Sequence, residues 1–259
     1  MSFLSRILSR KAEEVAARRA SHPERELVAA LRDAPPPRDF FGTLSGRLGP
    51  PRIIAEVKRA SPSAGAISLG LDAAERARLY ADAGAAAISV LTDGPGFGGS
   101  LADLAAVRAA VSVPLLRKDF MLDRYQLLEA RAHGADAALL VVAALEEGEL
   151  ARLSSACGEL GLAAIIEVHD ARELEVALAA GARIVGVNNR DLTTFAVDLA
   201  TSERLIPRLP ETVKGVAESG LRTTADARRL RAAGATNLLV GEALVREADP
   251  GKLLWEMIN

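Results

Sequence analysis

A chain of 259 residues that is 49% hydrophobic and 25% charged has ample material for a sizeable core, and its length suits one α/β barrel better than two ordinary domains. The formal charge of −2 leaves no electrostatic footprint for nucleic acid, although a local cationic site for an anionic metabolite remains open. With Cys157 as the sole cysteine no intrachain disulfide can form, so a reducing cytoplasm is the expected setting.

The amino terminus, "MSFLSRILSRKAEEVAARRA", has no uninterrupted apolar stretch of the kind a secretory signal needs. No window approaches the roughly 18 uncharged apolar residues of a membrane span. Residues 4–20 put Leu4, Ile7, Leu8, Ala12 and Val15 on one side of a helix, with charges over the rest. A second helix is expected near 24–32, and "APPPRDF" then breaks it. Residues 1–45 therefore read as an N-terminal helical extension, and residues 46–259 as the domain on which it packs.

From there the pattern is regular. Short apolar runs fall at 52–57, 86–91, 113–117, 136–142, 162–168, 183–187, 213–217 and 236–241. Helical patterns separate them, among them "LDAAERARLYADAGA", "DRYQLLEARAHGA", "DARELEVALAAGA" and "TTADARRLRAAGA". These four end in A-G-A or H-G-A, where glycine is the expected helix stop. Strands alternating with helices imply parallel pairing, and eight such units predict a single (β/α)8 barrel, the TIM barrel, with a doubly wound open sheet as the alternative.

A barrel places its site at the carboxyl ends of the strands, so polar residues should cluster there and not elsewhere on the strands. Strand 1 ends with Glu56 and Lys58 on one face. Strand 3 ends "LLRKDF", aligning Leu116, Lys118 and Phe120, and strand 5 ends "IIEVH", with Glu167 in line with Ile165. Strand 6 brings Asn188 and Arg190, strand 7 Glu218 and Ser219, and strand 8 runs into Gly241. Two lysines and three carboxylates converging on a low-dielectric mouth shift each other's pKa values, which is how acid and base roles are set. The alternative is a salt-bridge network that merely caps the barrel. Gly220 and Gly241 fit turns whose backbone N–H groups grip a phosphate, or tight turns and nothing more, and Ser61 is a further hydroxyl donor. His169 reads as a solvated or structural histidine and Cys157 as a small buried residue. The three histidines lie far apart and only one cysteine exists, so no metal site is expected. No P-loop or dinucleotide fingerprint follows the first strand.

The motifs "IIAEVKRASPS", "LTD" with "FGGS", "LLRKDF", "IIEVH", "GVNNRDL", "AESGL" and "LLVGEALVR" resemble, in order, those of the indole-3-glycerol phosphate synthase family of tryptophan biosynthesis. "ILSRKAEEV" resembles the extra N-terminal segment of that family. The resemblance implies the decarboxylating, dehydrating ring closure of 1-(2-carboxyphenylamino)-1-deoxy-D-ribulose 5-phosphate to indole-3-glycerol phosphate, with no metal or organic cofactor. It implies that Lys118 is the general acid on the carbonyl and Glu167 the acid/base for the later proton losses. Lys58, paired with Glu56, would meet the substrate carboxylate; Asn188, Arg190 and Glu218 would orient the carboxylate and hydroxyls. Ser61, Ser219, Gly220 and Gly241 would hold the phosphate, and Phe97 and Phe120 would flank the ring. The expected partner is a phosphorylated small molecule, with no nucleic acid and no membrane, and a monomer is the expected state.

Two departures from the family pattern stand out. Ala64 replaces a common loop lysine, and "DGPGFGG" after strand 2 is rich in glycine and proline. Both bear on loop motion and rate. Phosphoribosylanthranilate isomerase and the tryptophan synthase alpha subunit are rival phosphate-binding barrels, but neither accounts for a lysine ending both strand 1 and strand 3. A catalytically inactive barrel would be signalled by loss of Lys58, Lys118 or Glu167, and all three are present.

Overall fold

The structure, a computed structural model, describes residues 3–32, 34–46, 49–61 and 65–259. Ala64 lies outside the described residues. Eight parallel strands close into a barrel in sequence order: β1 (Arg52–Val57), β2 (Ala87–Leu91), β3 (Leu115–Lys118), β4 (Ala137–Val141), β5 (Ala163–Val168), β6 (Ile184–Asn188), β7 (Lys214–Glu218) and β8 (Asn237–Val240). The seam between first and last strand pairs Arg52 with Asn237 and Ala55 with Val240. This is the expected barrel, and the open sheet is excluded.

The period-2 alternation of a strand divides the apolar residues into two cores. On β1, Ile53, Ala55 and Val57 face outward to the helices. Ile54 faces inward with Leu116, Ile165, Ile184, Val216 and Leu239 from the other strands. The inner core fills the lower barrel, so polar side chains of the same inward rows remain for the upper mouth. The four helices that the sequence ends in glycine stop there: Gly84, Gly134, Gly181 and Gly234 all have φ between 78° and 96°. Their starts carry side-chain caps, including capping boxes of Asp123 with Gln126 and Thr223 with Asp226.

The N-terminal segment forms α1 (Phe3–Ser21), α2 (Glu24–Ala30) and a further short helix, α3 (Phe40–Thr43), which starts at the last residue of the stretch the sequence marks only as a helix breaker. Asp39 caps α3 by accepting from the Gly42 N–H at 2.7 Å. The helix delivers Phe40, 1% exposed, and then Leu44 into the inner core. The Asn237 amide at the start of β8 holds the adjoining loop, accepting from Ser45 N at 2.8 Å and donating to Ser45 O at 3.0 Å.

α1 buries Ile7 and Val15 as expected, but Lys11, not Ala12, completes the buried face. Its ammonium, fully enclosed, lies 2.7 Å from Asp93 Oδ1, 2.9 Å from Asp119 Oδ1 and 2.9 Å from Glu14 Oε2. Burial opposes charge on Lys11, but these carboxylates outweigh it and hold its pKa above the usual lysine value. Arg117, on the outward face of β3, is also fully buried. Its guanidinium donates to Asp119 Oδ2 at 3.1 Å, Gln126 O at 2.6 Å and Thr92 Oγ1 at 3.0 Å. The expectation that charged groups on the strands are confined to the mouth is therefore corrected: a second, buried ionic cluster joins α1 to the outside of β2 and β3. It survives because every charge in it is paired, as burial in low dielectric demands.

Candidate active site

Every one of the sequence-predicted site residues lines one cavity of about 150 Å³ at the carboxyl ends of the strands. The barrel register explains this. Asn188 pairs directly with Glu218, and Glu167 pairs with Gly186, one inward position before Asn188, so the ends of the inward rows of β5, β6 and β7 are neighbours. Lys118 Nζ lies 3.0 Å from Glu167 Oε2 and 3.2 Å from Glu218 Oε2. Opposite, Lys58 Nζ lies 2.8 Å from Glu56 Oε1. The Asn188 amide donates to Glu167 Oε1 at 3.1 Å, and its carbonyl oxygen accepts from Arg190 N at 3.0 Å.

These contacts set the charges. Burial works against the Lys118 ammonium, but Glu167, Glu218 and Glu56 outweigh it and hold its pKa above the usual lysine value. Burial likewise opposes ionisation of Glu167, yet Lys118 and His169 overcome it and hold the carboxyl below its usual range. Glu218 goes the other way: burial, with the Glu167 anion adding to it, pushes its pKa up despite Lys118. The trio therefore holds an ammonium, a carboxylate and a carboxyl that keeps its proton, three distinct proton-transfer groups within reach of one another.

Two glycines make room for the carboxyls. A Cβ on Gly186 would stand 2.2 Å from Glu218 Oε1, and one on Gly241 would stand 2.4 Å from Glu56 Oε1. Gly241, which the sequence suggests for a phosphate turn, thus has a packing reason of its own. Gly186 carries no sequence signal beyond its place in β6. After β7, Ser219 and Gly220 both take left-handed backbone, φ 64° and 85°. Such a conformation costs a serine about 1–2 kcal/mol and turns the chain sharply across the mouth. Ser61 reaches the cavity from a two-residue strand that pairs with Gly65–Ala66.

Several lining residues were not anticipated. Phe3 of α1 meets Phe195, in the loop after β6, edge to face at 4.8 Å. With Phe97 and Phe120 they make part of the mouth aromatic. No local pattern shows that a terminal helix will fold over the barrel, so Phe3 is invisible to sequence reasoning. Asp93 and Asp119 also line the cavity and link it to Lys11. Of the two readings of His169, solvated or structural, the structure excludes the first: the ring is largely enclosed, with Nε2 3.5 Å from Glu167 Oε1. Its adjacency to Glu167 in "IIEVH" was the available signal. Among the described residues no group of three or more His, Cys, Asp and Glu side chains is arranged to hold a metal ion.

Comparison with known proteins agrees with this geometry. The family model for indole-3-glycerol phosphate synthase matches residues 4–257. The indole-3-glycerol phosphate synthase of Micrococcus luteus is 49% identical over 257 residues, covering 98% of this chain and 96% of that protein. Those of Mycobacterium ulcerans and Mycobacterium tuberculosis are 49% and 48% identical, each covering all of this chain and 94% of the relative. A family model that matches residues 4–257 and relatives nearly half identical over almost the whole chain show that the chain belongs to the indole-3-glycerol phosphate synthase family.

Proposed function

We propose that this mouth catalyses the decarboxylating ring closure of 1-(2-carboxyphenylamino)-1-deoxy-D-ribulose 5-phosphate to indole-3-glycerol phosphate, carbon dioxide and water, a carboxy-lyase step of tryptophan biosynthesis. The observation that carries the reading is Lys118, an ammonium held between Glu167 and Glu218, facing a second lysine, Lys58, across one cavity. Lys118 donates its proton to the ribulose carbonyl oxygen as the ring carbon bearing the carboxylate attacks the carbonyl carbon. The C–C bond to the carboxylate then breaks, carbon dioxide leaves, and its electron pair returns to the ring. Lys58, aimed by Glu56, meets that carboxylate before it departs. Expulsion of the hydroxyl is driven by the nitrogen lone pair, with Lys58 supplying the proton that makes it water, and Glu167 takes the proton whose loss completes the indole. Asn188 fixes Glu167, while Arg190 and the protonated Glu218 orient hydroxyls and carboxylate. Ser61 and the turns at Ser219, Gly220 and Gly241 hold the phosphate, and Phe97 and Phe120 flank the aromatic ring. A dianion anchored at one end and lysines at the other fold the flexible ribulose for ring closure, the entropic part of the catalysis.

The reading extends to the whole chain. Residues 1–45 act as an extension packed on the barrel of residues 46–259. Every group assigned to substrate comes from one chain, so a monomer is sufficient. The lone buried cysteine and the near-neutral charge support a cytoplasmic enzyme with no nucleic-acid or membrane partner. The test is the appearance of indole fluorescence from the ribulose phosphate substrate in EDTA, with one carbon dioxide released per indole. Absence of indole, or activity lost to the chelator and restored by a divalent ion, contradicts the reading.

A further inference from the structure

His169 stands just past β5, between two carboxylates. Its backbone N–H donates to Glu173 Oε2 at 2.8 Å, and its ring Nδ1 lies 2.9 Å from the same oxygen. A carboxylate only accepts, so Nδ1 carries a proton. Nε2 is buried, has no hydrogen-bond partner, and lies 3.5 Å from Glu167 Oε1. In a neutral ring with Nδ1 protonated, the Nε2 lone pair would face the Glu167 anion, which is repulsive. Protonating Nε2 turns that contact into an attraction. The titratable groups facing the ring are Glu167 beside it, Glu173 on the following helix, Glu218 at the end of β7 and Asp191 in the loop after β6. All are carboxyl groups, and Lys118 lies on the far side of Glu167. Burial disfavours the imidazolium, but Glu173 and Glu167 outweigh it and raise the His169 pKa above the ordinary histidine value.

The free site shows why such a cation is needed. Glu167 is 3% exposed and its present cation is Lys118, at 3.0 Å. The reaction requires Lys118 to turn toward the substrate carbonyl. A buried carboxylate left with no cation at all would take up a proton and cease to be a base. We propose that His169 is a positioning residue for Glu167: held as an imidazolium by Glu173, it keeps Glu167 ionised and in place when Lys118 leaves it for the substrate. The inference rests on the reading of Glu167 as the acid/base of the ring closure, and it assigns the second ion pair that this role needs.

The experiment combines imidazole nitrogen NMR with kcat–pH profiles of the full-length enzyme. His169→Gln identifies the His169 resonances among the three histidines. The expected result is a ring protonated on both nitrogens at neutral pH, titrating above the ordinary value of about 6.5. Glutamine keeps an N–H donor but no charge, so the acid limb of kcat moves up by about one pH unit, and kcat on that limb falls about tenfold. KM changes by less than about twofold, because the substrate is not touched. Glu173→Gln, which keeps an acceptor and spares the site, lowers the His169 titration midpoint. A neutral His169 ring at neutral pH, or an acid limb unmoved in His169→Gln, overturns the proposal. If His169→Gln does not fold, an unchanged midpoint in Glu173→Gln overturns it instead. A Glu167→Gln enzyme that keeps its kcat overturns the assignment of Glu167 itself, whatever the imidazole signals show.

Discussion

Gly241 follows β8 directly, and its hydrogen is where a side chain would strike Glu56 Oε1 at 2.4 Å and Glu56 Cβ at 3.0 Å. Gly241→Ala should therefore displace the Glu56–Lys58 pair as well as crowd the phosphate turn, lowering kcat while raising KM. Steady-state kinetics with circular dichroism as a folding control decide this; a raised KM with wild-type kcat would mean that Glu56 does not feel the methyl group. The two carboxyls around Lys118 differ in the same local way. Glu218 already holds its proton, so Glu218→Gln resembles the native state and should cost far less activity at neutral pH than Glu167→Gln, which loses a base worth about a hundredfold to ten-thousandfold. Stability against pH supplies a second reading with a definite sign. Glu218 is raised in the fold, so the folded protein retains a proton that the unfolded chain releases, and stability declines as pH rises from ~4.3 through the raised value. Glu167 is lowered, so its contribution is present above ~4.3 and is lost as pH falls through its folded value. Glu218→Gln should flatten the upper window alone, read as Tm against pH; a slope unchanged by the substitution would place the retained proton elsewhere. At this scale the sequence was informative where chemistry needs a charged side chain at a strand end, as with Lys118 and Glu167. It was silent where chemistry needs the absence of one, as at Gly186, and where a distant segment arrives, as with Phe3.

The elements were legible for a physical reason: a strand buried on both faces reads as a short apolar run, and four of the helices stop at a left-handed glycine that the chain displays. What escaped was what breaks the apolar rule. α3 is one turn long and follows a proline-rich stretch, so nothing in its sequence marks Phe40 as part of the inner core. Lys11 in α1 reads as one more solvated charge, yet it bridges Asp93, in the loop after β2, and Asp119, after β3. Lys11→Met keeps the stem and removes the charge, leaving two buried carboxylates without their shared cation. The expected loss is about 3–5 kcal/mol, measured as the shift in urea unfolding. Adding Asp93→Asn and Asp119→Asn should recover part of it, because neutral amides need no cation. A loss below about 1 kcal/mol in the single variant would show that α1 is held by its apolar contacts and not by this ion cluster.

For the molecule as a whole, the inner core closes the lower barrel, the ion cluster fastens α1 beside the upper rim, and the reacting groups occupy the space between. The consequence is a rigid cup whose inward rows change from aliphatic to ionic within one residue pair, as from Ile165 to Glu167 or from Leu116 to Lys118. That division concentrates the chemistry on few side chains, and Lys118 is the one through which the account passes first. The most direct test is kcat for indole formation by Lys118→Ala, with circular dichroism and binding of inorganic phosphate measured on the same preparation. The expected result is a folded protein that binds phosphate as the wild type does and turns over about a hundredfold to ten-thousandfold more slowly. A folded Lys118→Ala enzyme retaining half of the wild-type kcat would contradict it.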